Sequence, residues 1–251
     1  MVGHSKFKNI QHRKGVQDRK RAQLFSKLGR EITVSAKMGG GDPAMNARLR
    51  LAVANAKALS MPRDNIEKAI QKGSSGGDMT NFSEMRYEGY GPGGVAIIID
   101  ALTNNKNRTA GEIRSAFTKH GGNLGETNSV NFMFDRIGEV IYPLATASAD
   151  TMFEAALDAG AANVESDETA HHIECAPDDF AAVRTAMVAK FGEPEKSGLV
   201  WKPNVMAPVG EEQVSDVLAL IDALEENDDV QTVTTNVEVS EQVMQKLIAA
   251  V

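Results

Sequence analysis

Cations crowd the segment from residue 4 to residue 37, where ten lysines and arginines stand against two carboxylates. Arg13, Lys20 and Lys27 lie seven residues apart, which is about two helical turns, so on one helix they share a face. A row of cations on a helix can hold the phosphate backbone of a nucleic acid. For one helix taken alone, the plainer interpretation is a solvated basic face.

The charge of the chain is divided along its length. Residues 1–77 contain 16 Lys and Arg against 5 Asp and Glu, a formal charge of +11, and residues 78–251 contain 11 against 29, a charge of −18. A basic segment joined to an acidic remainder indicates a module that meets polyanions, while the acidic part repels nucleic acid. Charge alone does not distinguish DNA, RNA and the ribosome.

The predicted phosphate contacts are the cations and one histidine of this basic segment. They are Lys6, Lys8, His12, Arg13, Lys14, Arg19, Lys20, Arg21, Lys27, Arg30, Arg48, Arg50 and Arg63. Such contacts position a protein on a nucleic acid without reading its sequence. A minor second contact is predicted at Lys106 and Arg108, although residues 104–109 are more simply the N-terminal cap region of a helix.

Residues that catalyse reactions or bind metals are few and scattered. His171 and His172 are adjacent on a predicted strand, so they point to opposite faces and do not converge on one metal ion. The single cysteine, Cys175, excludes an intramolecular disulfide and a cysteine-based zinc site, and we interpret it as a core residue. We therefore expect no enzymatic activity, no cofactor, no metal site and no small-molecule substrate.

Two further patterns have structural explanations. Gly89, Gly91 and Gly94 match the spacing of the dinucleotide-binding GxGxxG motif. They precede a predicted strand instead of opening a helix, so we interpret them as turn residues. The acidic residues between 165 and 168 are interpreted as a solvated loop of an acidic domain.

Three helices are predicted in the basic segment. Apolar residues recur every four positions from Leu24 to Ala36 and form a stripe on the first helix, which ends at the glycine-rich turn 39–43. Further helices are predicted at residues 44–60 and 62–73. The Ser- and Gly-rich residues 74–78 are predicted to be a linker.

Beyond this linker the patterns predict strands as well as helices. In order, they are strands at 84–90 and 94–102, a helix at 107–120, strands at 130–135 and 138–143, a helix at 148–159, strands at 162–166 and 169–175, a helix at 177–190, a strand at 198–202, a helix at 210–226, a strand at 230–237 and a helix at 240–250. The β-α-β-β-α-β order from 138 to 202 is that of a ferredoxin-like unit.

The predicted fold class is therefore α+β, with three domains. They are a basic three-helix bundle at 1–77, a middle α+β domain at 78–136 plus 204–251, and an inserted ferredoxin-like domain at 137–203. No apolar run approaches the roughly 20 residues that span a bilayer, and a lone cysteine fits a reducing compartment, so we expect a cytoplasmic protein without a membrane partner. Aromatic residues make up only 5% of the chain, which argues against extensive base-stacking platforms.

Several motifs carry a resemblance to a known family. They are GHSKF (3–7), HRK (12–14), QDRKR (17–21), FSKLGREI (25–32), GGGDP (39–43), RLRLA (48–52), MPRDNIEKAIQKG (61–73), YEGYGPGGVA (87–96), NRT (107–109) and GGNLGETNSVNFMF (121–134). On these residues the chain resembles the YebC/PmpR family, whose mitochondrial relative is a translational activator of cytochrome c oxidase. Three positions depart from the family pattern: Phe7 replaces the usual Trp, Ser60 the common Asn, and Asn128 the common Gly.

The resemblance implies a helical bundle, a middle α+β domain and an inserted ferredoxin-like domain, without enzymatic activity. It implies two alternative functions: a cytoplasmic DNA-binding transcriptional regulator, or a translation factor that acts at the ribosome. The residues themselves mildly favour RNA, since they show no clear recognition helix for base edges and no dimerisation device for a palindromic operator. A protein-interaction module whose basic face meets an acidic partner stays a third alternative.

Overall fold

The structure is a computed structural model that describes residues 17–75 and 81–240, with residues 243 and 245 beyond them. Side chains are described from Arg21 onward. Three predictions fall wholly or partly outside the described residues. They concern part of the linker, most of the helix at 240–250, and five of the phosphate contacts. Those contacts are Lys6, Lys8, His12, Arg13 and Lys14.

The described residues form a mixed α+β fold, as the sequence predicts. Its elements are α1 Gln17–Gly39, α2 Ala47–Ala58, α3 Arg63–Ser74, β1 Ser83–Tyr90, β2 Ala96–Thr103, α4 Lys106–Lys119, β3 Asn123–Leu124, β4 Phe134–Pro143, α5 Ala149–Asp158, β5 Asn163–Ser166, β6 Ala170–Cys175, α6 Phe180–Phe191, β7 Lys196–Pro203, β8 Ala207–Val209, α7 Glu211–Glu225, β9 Val230–Thr235 and β10 Val237–Val239. Short 3-10 turns lie at Pro92–Gly94, Asn131–Met133, Leu144–Thr146 and Pro177–Asp179.

The chain divides into two compact units, each of which is discontinuous in sequence. The first takes its residues from Met1–Lys27, Asn81–Asp135 and Pro203–Val251, and the second from Leu28–Thr80 and Arg136–Lys202. The domain boundaries that the sequence suggests, after residues 77, 136 and 203, stay a prediction.

Helix α1 is deeply enclosed in its second half. All residues from Ile32 to Ala36 are buried, although Leu24 is 38% exposed, so the predicted apolar stripe is confirmed only at its C-terminal end. The Thr33 hydroxyl lies 2.8 Å from the carbonyl oxygen of Gly29 and 3.2 Å from that of Ala69 in α3. A Cβ atom at Gly73 would overlap the Thr33 carbonyl, so α1 and α3 pack backbone against backbone at this point.

The first unit contains a four-stranded antiparallel sheet in the order β3-β1-β2-β9. Strand β2 is buried on both faces, which explains its continuous apolar sequence. Its residues Ile97 and Ile99 pack with Ile113 and Phe117 of α4 and Leu220 of α7. The turn between β1 and β2 contains Gly94 at a φ of +75°, which confirms that the GxGxxG spacing is turn chemistry.

The last predicted strand is interrupted by a buried side chain. Asn236 accepts a hydrogen bond from the Ala96 amide at 2.8 Å and donates to the carbonyl oxygen of Val205 at 2.9 Å. The predicted single strand at 230–237 is therefore two strands, β9 and β10. Strand β10 pairs in parallel with β8. Strand β8 was not predicted from the sequence, because it has only three residues and contains Pro208.

The second unit contains the predicted ferredoxin-like arrangement. Its sheet has the order β5-β6-β4-β7, and α5 and α6 pack on one face around the buried side chains of Tyr142, Met152, Ile173 and Met187. The prediction of separate strands at 130–135 and 138–143 is wrong. Residues 131–133 form a 3-10 turn, and β4 is one continuous strand from Phe134 to Pro143.

Two of the departures from the family pattern lie at unusual backbone positions. Ser60 has a φ of 59° and Asn128 a φ of 68°, both in the left-handed region that β-carbon-bearing residues rarely adopt. The family's usual Asn and Gly at these positions accommodate that conformation more readily than Ser and Asn do, respectively. The backbone therefore gives a physical reason for the common family residues.

Candidate nucleic-acid interface

The predicted phosphate contacts that the structure describes begin with α1. Arg19 and Lys20 lie in this helix, and their side chains are outside the description. Arg21 is exposed, and its guanidinium lies 5.4 Å from the centre of the Phe25 ring, a cation–π distance. Arg30 is half-buried.

Lys27 makes a structural contact within the fold. Its Nζ atom donates a hydrogen bond of 2.8 Å to the carbonyl oxygen of Glu225, the last residue of α7. A cation at a helix C-terminus satisfies an unpaired carbonyl and interacts favourably with the helix dipole. Reversing the charge of Lys27 would therefore disturb the fold as well as any contact to phosphate.

Arg48 forms a two-pronged ion pair with a carboxylate of α1. Its Nε and Nη2 atoms lie 2.7 and 3.1 Å from the two carboxylate oxygens of Glu31. The side chains are 36% and 30% exposed, so the pair is partly screened by solvent. The planar guanidinium is held in one orientation, and the pair joins α1 to α2.

Arg50 and Arg63 are exposed, and each has a local partner. Arg50 donates to the carbonyl oxygens of Pro43 and Ala44, at 3.2 and 3.0 Å. Arg63 bonds to Glu67 one turn further along α3, at 2.6 Å. That hydrogen bond, together with the charge of Glu67, raises the pKa of Arg63 above its ordinary value. Exposed i,i+4 pairs of this kind contribute little to stability.

The predicted second contact contains an ion pair between a partly exposed arginine and a buried carboxylate. The Arg108 guanidinium lies 2.6 Å from a carboxylate oxygen of Asp229, whose side chain is 6% exposed. The hydroxyls of Thr103 and Thr109 lie 3.1 and 2.6 Å from the same oxygen. The hydrogen bond and charge of Asp229 raise the pKa of Arg108. Lys106, by contrast, is exposed at the start of α4.

Three exposed lysines of α2 and α3 are not among the predicted contacts. Lys57 lies in the last turn of α2, and Lys68 and Lys72 lie one turn apart on α3. Ile66 and Ala69 bury the opposite side of α3. The i,i+4 spacing of lysines away from the apolar positions is the signal in the sequence that could have included them.

The other polar clusters serve the fold. His171 is fully buried. Its Nδ1 atom lies 2.7 Å from the Ser166 hydroxyl, and its Nε2 atom lies 3.0 Å from the Ala147 carbonyl oxygen. His172 is partly exposed on the opposite face of the strand. Backbone and side-chain hydrogen bonds from Thr169 lower the pKa of Asp167 to about 2. Burial raises the pKa of Cys175. Within residues 17–75 and 81–240, no three His, Cys, Asp or Glu side chains are grouped to hold a metal ion.

A membrane-crossing helix is also missing from the part of the chain that the structure describes, where none has the necessary length and apolar character.

These observations define an α+β protein in which a cation-rich helical segment precedes a four-stranded antiparallel sheet and a ferredoxin-like sheet. The model of the TACO1/YebC protein N-terminal domain matches residues 5–76, and the model of the TACO1/YebC second and third domain matches residues 82–237. The chain belongs to the TACO1/YebC family. It is similar to the crystal structure of a conserved hypothetical protein, Aq1575, from Aquifex aeolicus, with 42% identity, a TM-score of 0.83, and coverage of 92% of this chain and 96% of that one.

Proposed function

We propose that this chain is a non-enzymatic, nucleic-acid-binding regulator of gene expression that grips the phosphate backbone through its basic N-terminal segment. The observation that carries the proposal is the division of charge, +11 over residues 1–77 and −18 over residues 78–251. Such a division orients the protein on a polyanion, because the acidic part is repelled wherever the basic part is attracted.

The exposed lysines of α2 and α3 extend this argument to individual side chains. Lys57, Lys68 and Lys72 present their ammonium groups away from the core. Lysine is a compact charge that binds phosphate without a fixed geometry. We expect these residues to contribute affinity together with the predicted arginines, and to contribute nothing to sequence preference.

The test is the salt dependence of binding. A triple variant, Lys57→Gln with Lys68→Gln and Lys72→Gln, is compared with the intact chain by fluorescence anisotropy on DNA and RNA over a range of salt concentrations. Loss of three phosphate contacts is expected to flatten the slope of log K against log salt by roughly 2 to 3. The stability of the variant towards urea should be unchanged.

A matched control removes the same charge from other exposed helix positions. Arg114→Gln, Lys119→Gln and Lys190→Gln alter α4 and α6, where all three side chains are exposed. These substitutions should leave the salt slope unchanged. An equal effect of the two triple variants would show that net charge, and not the basic segment, governs binding, and the proposal would fall.

One observation favours RNA on the ribosome as the alternative target. The exposed side of α3 carries Asp64 and Glu67 among its cations, and Glu67 forms an ion pair with Arg63. A helix that enters the major groove lies between two rows of phosphates, so carboxylates on it oppose that placement. Sedimentation of a lysate on a sucrose gradient separates the alternatives: RNase-sensitive migration with ribosomes supports translation, and free migration with salt-dependent retention on DNA supports transcription.

A further inference from the structure

Two exposed methionine side chains lie where α1 ends and the chain turns towards α2, Met38 in the last turn of the helix and Met45 in the loop. We call residues Met38–Asn46 the methionine loop. Met38 is 70% exposed and Met45 is 85% exposed, whereas Met152 and Met187 are fully buried. Leaving large apolar side chains in water forgoes the free energy of burial. Two of them close together in sequence therefore indicate a binding surface.

The loop is held in one conformation by a buried amide. Asn46 is 7% exposed, and its Nδ2 atom donates to the carbonyl oxygens of Ser35 and Gly40 at 2.7 and 2.9 Å. Its Oδ1 atom accepts from the Leu49 amide at 3.0 Å and so caps α2. Asn46 therefore fixes both ends of the loop at once.

The glycines of the loop are required by this packing. A Cβ atom at Gly39 would lie 2.6 Å from Nδ2 of Asn46, and one at Gly41 would overlap the Ser74 hydroxyl. Gly40 has a φ of +88°. The Arg50 guanidinium donates hydrogen bonds to the carbonyl oxygens of Pro43 and Ala44 on the other side of the turn. The exposed thioethers are thus carried on a rigid loop and lose little conformational entropy of the backbone on binding.

Cationic side chains lie close to the methionine loop. Nη1 of Arg48 lies 3.5 Å from Sδ of Met38, and Lys37 and Arg50 are exposed beside the two ends of the loop. Exposed thioethers on a segment that also carries cations fit a ligand that presents apolar faces joined by negative charges. Nucleic acid has this character only where its bases are unpaired and unstacked, because a duplex hides the base faces.

We propose that the methionine loop packs against the faces of unpaired bases, while the neighbouring cations hold the phosphates on either side. The inference rests on the proposed function and deepens it by naming single-stranded or looped nucleic acid as the ligand. Thioethers pack favourably on aromatic rings, and this chain has few aromatic side chains for the task, at 5% of its residues. The contact depends little on base identity, since every base has an aromatic face.

The first experiment compares two RNA probes of equal length, a hairpin with an unpaired loop and a blunt duplex. Met38→Gln with Met45→Gln should weaken binding to the hairpin about tenfold and leave binding to the duplex unchanged. Because no charge is removed, the salt slope should stay the same on both probes. The control variant, Leu157→Gln with Leu199→Gln, removes exposed apolar surface elsewhere and should alter neither affinity.

The second experiment measures the contact directly. Brief treatment with hydrogen peroxide oxidises exposed thioethers, and mass spectrometry locates the sulfoxides. Met38 and Met45 should be protected in the complex with the hairpin and remain reactive with the duplex, while buried Met152 and Met187 stay unoxidised in each sample.

The outcomes separate this inference from the proposed function. Binding of the hairpin with both methionines still reactive overturns the role of the loop and leaves the proposed function standing. Equal protection of Met38 and Met45 by the duplex overturns the preference for unpaired bases. A chain that binds neither RNA nor DNA removes the proposed function and this inference together.

Discussion

Arg48 and Arg108 are both predicted phosphate contacts, and both are partly exposed and paired with a carboxylate, but the two carboxylates differ in depth. Glu31 is 30% exposed and bonds to Arg48 from a neighbouring helix, 17 residues away in sequence. Asp229 is 6% exposed, lies 121 residues from Arg108, and also accepts from the hydroxyls of Thr103 and Thr109.

The difference teaches how to tell a cation that serves the fold from one that is available to a ligand. At the solvent-facing pair, phosphate can compete with the carboxylate for the guanidinium at modest cost. At Asp229, by contrast, displacing Arg108 would leave a buried carboxylate without its charge partner. We therefore expect Arg108 to be a structural residue and Arg48 to be the better candidate for binding.

The largest effect is expected for Asp229→Ala. The variant removes the buried carboxylate oxygen that Thr103, Thr109 and Arg108 all contact, so the free energy of unfolding should fall by about 3 kcal/mol. Urea denaturation followed by circular dichroism measures this as a lower midpoint. Asp228→Ala, at the exposed neighbouring carboxylate, is the matched control and should stay within about 0.5 kcal/mol of the intact chain. Similar midpoints for the two variants would contradict the contrast in depth.

A smaller effect is expected at Arg48 and Glu31. A double-mutant cycle with Glu31→Ala and Arg48→Ala should give a coupling energy of about 1 kcal/mol, because the two-pronged geometry is good but the pair is partly solvated. The coupling should weaken in high salt. A coupling as large as the loss at Asp229 would mean that both arginines serve the fold and that the comparison fails.

The smallest effect on stability is expected at Arg63. Its ion pair with Glu67 is 86% exposed on the arginine side, so Arg63→Gln should leave the urea midpoint unchanged. If Arg63 contacts phosphate, the same variant should lower the salt slope of nucleic-acid binding by about 1. A stable variant with an unaltered slope would remove Arg63 from the interface.

Much of the fold was predictable because its signals are local. The glycines around Gly91, the apolar run of β2 and the β-α-β-β-α-β order of the second unit each occupy a short stretch of sequence. The failures involve contacts between distant residues. Asn236 interrupts the final strand because its side chain accepts from the Ala96 amide and donates to the Val205 carbonyl oxygen, and no local pattern contains that information.

The candidate site was less predictable for the same reason. A charge is visible in the sequence, but its partner is not: the acceptor for Lys27 is a backbone carbonyl 198 residues away, and Asp229 looks no different from the exposed Asp228 beside it. The basic character of the segment follows from composition. Which of its cations remain available to a ligand depends on the folded neighbours of each one.

The pairing of β2 with β9 sets an order for folding during synthesis. Ile97 lies opposite Thr235, so the central strand of the first unit waits for a partner made more than half the chain later. The sheet of the second unit is complete once residue 203 has been made, and it can form while the first is still missing an edge. Since chains emerge at roughly 5–20 residues per second, the edge of β2 that pairs with β9 stays unpaired for on the order of ten seconds. A ribosome that pauses near the end of this message would prolong the time for which this apolar strand has an unpaired edge open to other chains.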